Sequence, residues 1–176
     1  LGLIAEPILI TRQEIVGNQY DILRGSKDPT LYKRVAKTAL LASAGAEAVP
    51  ELNLALSDID AAVRYWGAIG LGNHAQHANG TAKQLNKVMH KDPSSVCRTA
   101  AARALCRLGQ PDAALPVLTK ELEQGSQWER LHAAIVLDEI EDQARPVIPQ
   151  MHAALKPRTD LYANGKYVIR VLNRAL

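Results

Sequence analysis

The chain has 176 residues, of which 47% are apolar and 4% aromatic with no Phe, and its formal charge is +3. That length allows one domain with a sizeable core. The charge excess is too small to demand a nucleic-acid or anionic-membrane partner, and no apolar run approaches a transmembrane span.

Abundant Ala with few aromatics favours close-packed helices over a β-sandwich. No leader pattern is visible and the first residue is Leu1, so both ends read as cut from something longer. Residues 1–27 open with Leu1, Leu3, Ile4, Ile8, Leu9 and Ile10 around Pro7, too proline-broken for a helix pair. Thr11 and Glu14 fit a short helix that Gly17 weakens. The expectation is an extended or short-helical segment docked on a repeat domain of residues 28–176.

Helices are expected near 29–43, 46–56, 60–72, 79–90, 93–108, 111–124, 127–140, 144–155 and 163–176. Asp28-Pro29 and Asp92-Pro93 each read as an N-cap followed by proline at the first helical position. Ser126 with Glu129 reads as a capping box, and Gly109 before Gln110-Pro111 as a stop and restart.

The strongest signal is internal repetition at a step of 33 residues. Val49, Ala82, Leu115 and Ile148 form one column; Leu52, Leu85, Leu118 and Met151 form the next; Leu56, Met89, Leu122 and Leu155 form a third. Their spacing within a unit is one face of a helix. A proline column at Pro50, Pro116 and Pro149, with Lys83 in the second unit, suits a first helical turn. Each unit carries a second helix, in which Gly67, Ala101 and Ala133 align, as do Ala68, Ala102 and Ala134, then Leu71, Leu105 and Leu137. The tetratricopeptide and ankyrin patterns are absent. The pattern predicts an all-α solenoid of four to five HEAT-like helix pairs, each stacked on its neighbour to make a core.

Candidate functional residues are few. Arg64, Arg98 and Arg130 align near the starts of the second helices. They read first as an inter-repeat ladder with Asp60, Asp92 and helix ends as partners, and second as an anion-binding row. Of the two tryptophans, Trp66 and Trp128, Trp66 reads as packing between repeats or as an anchor in a groove. With Arg64, Arg98 and Arg130, Trp66 and His132 complete the candidate binding set. His74 and His77 lie in a turn with no Cys or carboxylate cluster, so no metal is expected there. The basic stripes Lys83, Lys87, Lys91 and Lys166, Arg170, Arg174 read as solvated helix faces. Cys97 and Cys106 sit nine positions apart in one helix, roughly 13 Å apart, beyond the ~7 Å that a disulfide spans. No catalytic constellation stands out, and no cofactor is expected.

The run Asp60-Ala61-Ala62-Val63-Arg64-Tyr65-Trp66-Gly67-Ala68-Ile69-Gly70-Leu71 resembles the HEAT-like C-terminal region of bacterial sulfatases. Tyr20-Asp21, Arg103–Gly109 and Tyr167–Leu176 extend the resemblance over residues 20–176. Those enzymes use a formylglycine from a Cys/Ser-x-Pro/Ala-x-Arg motif, and Cys97-Arg98-Thr99-Ala100-Ala101 departs from it at the third and fifth places. The resemblance therefore implies a non-catalytic scaffold appended to a sulfatase-like hydrolase and, as in such enzymes, export. Its partner would be the catalytic domain or a second copy, docked on an apolar end such as Tyr167, Val168, Val171, Leu172 and Leu176. The alternative is a nucleic-acid-binding HEAT-like module related to alkylpurine DNA glycosylases, although the balanced charge and absence of Phe weigh against it.

Overall fold

The computed structural model describes residues 30–160 and 165–176, and among them no strand occurs. The expected segment 1–27 and the Asp28-Pro29 cap lie outside the described residues. Nine α-helices follow in order among those described: α1 (Leu31–Leu41), α2 (Val49–Ala55), α3 (Ala61–Asn73), α4 (Ala82–Lys91), α5 (Ser95–Arg107), α6 (Pro111–Gln124), α7 (Gln127–Glu139), α8 (Ile148–Ala154) and α9 (Lys166–Ala175). Odd-numbered helices pack on odd and even on even, α3 on α1 and α5, α7 on α5 and α9, and α6 on α4 and α8. The result is two layers of four successive pairs, α2/α3 to α8/α9, preceded by α1.

The second repeat column becomes the core between the layers, whereas in the first only Leu115 is buried, Val49 and Ala82 are half-buried and Ile148 is exposed. Leu52, Leu85, Leu118 and Met151 are all buried, as are Leu71, Leu105 and Leu137 facing them. Each such side chain contributes about 1.5–3 kcal/mol by leaving water. The small-residue columns bring helices close. A Cβ on Gly67 would stand 2.9 Å from the Leu52 carbonyl oxygen and 3.1 Å from Ala55 Cβ. The α2–α3 approach thus requires glycine there.

Two local expectations change. Asp92 does not cap a helix starting at Pro93: α5 begins at Ser95 with Ser94 as N-cap. Asp92 Oδ1 instead accepts from the Ser94 N–H at 2.9 Å, closing a tight turn ahead of the helix. Pro116 is not in a first turn. It lies inside α6, which starts at Pro111, whereas Pro50 and Pro149 do open α2 and α8. The segments before α2 and α8 wind as 3-10 turns, Ala46–Ala48 and Glu141–Val147, while residues 111–115 continue as α-helix. The Ser126–Glu129 box forms, with the Ser126 N–H donating to Glu129 Oε2 at 2.6 Å. Gly109 takes φ 77° behind α5, a left-handed residue that glycine adopts without strain.

The apolar face expected to be left open at the end of the stack is turned inward in part: Tyr167 and Val171 are half-buried and Leu176 is 44% exposed. Val168 and Leu172 of α9 are buried against the preceding helices, while Lys166, Arg170 and Asn173 face solvent. Arg174 turns back to pair with Asp138 of α7.

Candidate functional site

The arginine column runs along the N-terminal ends of the second helices, and it has four rungs. Arg34 on α1 lies 3.6 Å from Asp58. Arg64 on α3 holds Asp92 through two bonds, Nε to Oδ2 at 2.7 Å and Nη2 to Oδ1 at 2.9 Å. Arg98 on α5 holds Glu121 Oε1 through Nε at 2.8 Å and Nη2 at 2.6 Å. In these last two rungs Nη1 performs a separate task. Arg64 Nη1 donates to the Asp58 and Ile59 carbonyls at 2.9 Å each, and Arg98 Nη1 to the Asp92 and Pro93 carbonyls at 3.0 and 3.3 Å. Each arginine thus caps its own linker and holds the next repeat. Fork-shaped guanidinium suits this double duty and Lys would not. The hydrogen bond from Arg64 to Asp92 holds the Arg64 pKa above its ordinary value against the opposing effect of burial.

Arg130 on α7 breaks the series. Its Nη1 donates to the Glu123 carbonyl at 3.1 Å, but among the described residues no carboxylate meets its Nε. The position one repeat beyond Glu121 is Ala154, and two repeats beyond Asp92 stands Arg158. Burial, then the nearby Arg158 charge, pull the Arg130 pKa below its ordinary value, and Asp160 offsets part of this.

Asp60, expected as a partner of the arginines, instead caps α3, accepting from the Ala62 N–H at 2.8 Å. Trp66 lies half-buried against Leu31, Val35, Ala62 and Val63, with its ring at 5.4 Å and 78° to that of Tyr65. His132, at the aligned position two repeats on, lies half-buried on α7. The column therefore unites Arg64, Arg98 and Arg130 as one row, with Trp66 at the α1 side of it and His132 at the α7 side. Trp128 and Ile135 on α7 are 54% and 44% exposed, and Leu131 between them is half-buried. These three lie at i, i+3 and i+7, one helical stripe.

A second ladder joins the opposite ends of the same helices, and the sequence reading missed it. Asn73 Nδ2 donates to the Ala42 carbonyl at 3.0 Å. Arg103 meets the Asn73 Oδ1 at 3.4 Å and clamps Glu139 with Nε at 2.7 Å and Nη2 at 2.6 Å. Arg107 joins the same carboxylate at 2.5 Å. Burial would raise the Glu139 pKa, but the bonds and charges of Arg103 and Arg107 outweigh it and hold it below the ordinary range. The visible signal was the aligned trio Asn73, Arg107 and Glu139 at the last helical positions.

The thiols are free and buried. Burial pushes Cys97 up to about 12 and Cys106 to about 11. Cys97 Sγ donates to the Ala61 carbonyl at 3.2 Å, a stitch between α5 and α3. Neither thiol is a nucleophile at neutral pH. His74 precedes and His77 ends a 3-10 turn, and among the described residues no group of three or more metal-ligating side chains occurs. Lys83, Lys87 and Lys91 are exposed on α4. A groove of about 600 Å³ between α4 and α6 carries the Arg98–Glu121 pair in its wall. No described helix is long and apolar enough to cross a membrane.

No curated protein matches the chain. Residues 20–106 match the family model of HEAT repeats, a little under half of the sequence. The helix pairs within that match continue in the same two layers through α9, so the chain is an all-α solenoid of HEAT-like helix pairs.

Proposed function

We propose that this solenoid is a non-catalytic scaffold that binds another polypeptide on the layer of odd-numbered helices. The observation that carries this reading is the Trp128, Leu131, Ile135 stripe on α7. Its two exposed members are large and apolar, and Trp is the side chain most often found as an interface anchor. Tyr65 and Ile69 of α3 align with Leu131 and Ile135, which extends an apolar surface across the repeats on either side of α5. The cations of the same layer do not favour nucleic acid. Arg64, Arg98, Arg103, Arg107 and Arg174 are each held by a carboxylate of the chain itself, which leaves little charge to release phosphate counterions.

On the resemblance of residues 60–71 and 167–176, the scaffold is further proposed to belong to a sulfatase-like hydrolase whose catalytic domain is one partner. A Cys/Ser-x-Pro/Ala-x-Arg motif encoded upstream of Leu1 supports that parentage, and an unrelated upstream sequence removes it.

A photo-crosslinking residue tests the binding reading. Placed at Ile135, it is expected to capture a polypeptide in an extract of the source cells, and Trp128→Ala is expected to abolish capture. Placed at Lys83 on α4, it captures nothing. Equal capture at both positions, or capture of nucleic acid at Ile135, contradicts the proposal.

A further inference from the structure

The arginines of the second and third rungs divide their donors in the same way. Nη1 takes linker carbonyls, while Nε and Nη2 take a carboxylate. The fourth rung keeps only the first half of this arrangement, in the bond from Arg130 Nη1 to the Glu123 carbonyl. Arg130 is 4% exposed, yet its Nε meets no acceptor among the described residues. Three positions earlier, Gln127 is 7% exposed, and among the described residues neither its Oε1 nor its Nε2 has a hydrogen-bond partner. Residues three apart share a helix face. A buried donor edge and a buried amide therefore lie side by side in the first turn of α7, at the positive end of its dipole. Native proteins leave few such groups unsatisfied, and two on one face call for a missing partner.

The local charge points to the kind of partner. Arg158 reaches the same Glu123 carbonyl through Nη1 at 3.2 Å. Among the described residues its counter-charge is Asp160, held through Nε at 2.9 Å. Two guanidinium groups thus converge on one carbonyl with one carboxylate between them, an excess of one positive charge. The ligand should be a monoanion, and the two preceding rungs show what fits the Nε–Nη2 edge.

We propose that Arg130, Arg158 and Gln127 form a carboxylate-binding site, in which a ligand supplies what Asp92 and Glu121 supply from within the chain. Arg130 offers its Nε edge, the Gln127 amide a further donor, and Arg158 the charge at the mouth. The carboxylate comes from a small organic acid or from an Asp or Glu side chain of a docked polypeptide. The chemistry of the site stands apart from the scaffold reading, and only the polypeptide source rests on it.

Arginine Nε–H NMR signals of the full chain test the site, with sodium acetate titrated against sodium chloride at equal ionic strength. The Arg130 and Arg158 signals are expected to shift saturably, with a dissociation constant on the order of 1–10 mM, while those of Arg64 and Arg98 stay. Arg158→Gln should weaken acetate binding about tenfold without moving the acetate-free melting temperature. Gln127→Leu should weaken it too, whereas an amide with a purely structural role would leave it unchanged. A blocked Ala-Glu-Ala peptide, compared with Ala-Gln-Ala, separates the sources. Tighter binding of the Glu peptide than of acetate assigns the site to a docked chain. Acetate binding with no response to the Glu peptide assigns it to a small acid and removes the polypeptide source alone. The proposal is overturned if neither ligand gives a saturable shift, if inorganic phosphate is preferred to acetate, or if Arg158→Gln binds acetate as the parent does.

Discussion

Arg64 and Arg130 occupy the same position in two repeats, yet their surroundings are opposite. Arg64 meets a carboxylate and two carbonyls, and its partner Asp92 is itself almost wholly buried. Arg130 meets one carbonyl and a second arginine nearby. The difference lies in the neighbour and not in the arginine, because the acid positions of the next repeat have become Ala154 and Arg158. A repeat column is therefore structural only where the adjoining repeat completes it. Where it does not, the same side chain is left with donors to offer.

The comparison can be broken most forcefully from the acid side. Asp92→Ala strands the Arg64 guanidinium and also removes the turn that the Ser94 N–H makes with it. Loss of one member of a buried pair costs about 3–5 kcal/mol, so urea unfolding should show a large fall in midpoint. The fourth rung can be sharpened by adding what it lacks. Ala154→Glu places an acid one repeat beyond Glu121, and is expected to raise stability by about 1 kcal/mol while abolishing acetate binding. An unchanged stability with acetate still bound would mean that an acid at position 154 does not reach the Arg130 Nε edge.

The opposite ladder gives a smaller, pH-dependent effect. The native pKa of Glu139 is lowered, so its contribution is complete above the ordinary carboxylate range and is lost as pH falls through the lowered value. Melting temperature followed from pH 7 to about pH 3 should therefore fall less steeply in Arg103→Gln than in the parent, because only Arg107 then holds the carboxylate. Identical slopes would remove Glu139 from the account.

Much of the fold was legible because it rests on local signals. Apolar spacing within each helix and its recurrence every 33 residues located the nine described helices within a few residues. Pro116 escaped the pattern because a proline column does not say where the helix before it begins. The ladder was half legible. Arg64, Arg98 and Arg130 align at spacings of 34 and 32, but Arg34 stands 30 residues before Arg64 and its rung was not recognised. Glu121 was missed as a partner because it lies a turn inside α6, where only the packing of α5 on α6 brings it within reach of Arg98. Arg103 and Glu139 are 36 residues apart, and their clamp depends on how α5 lies against α7. The buried amide of Gln127 has no signature in sequence at all, because glutamine at the first turn of a helix is ordinary.

The most direct test of the account compares Arg64→Gln, Arg98→Gln and Arg130→Gln in parallel urea unfolding. Arg64→Gln leaves a deeply buried carboxylate unpaired and should cost about 3–5 kcal/mol. Arg98→Gln exposes a less enclosed pair and should cost about 1–3 kcal/mol. Arg130→Gln strands no acid and should cost at most about 1 kcal/mol, the one carbonyl it caps. A descending series in that order is the predicted result; equal losses in all three, or the largest loss at Arg130, would contradict the account.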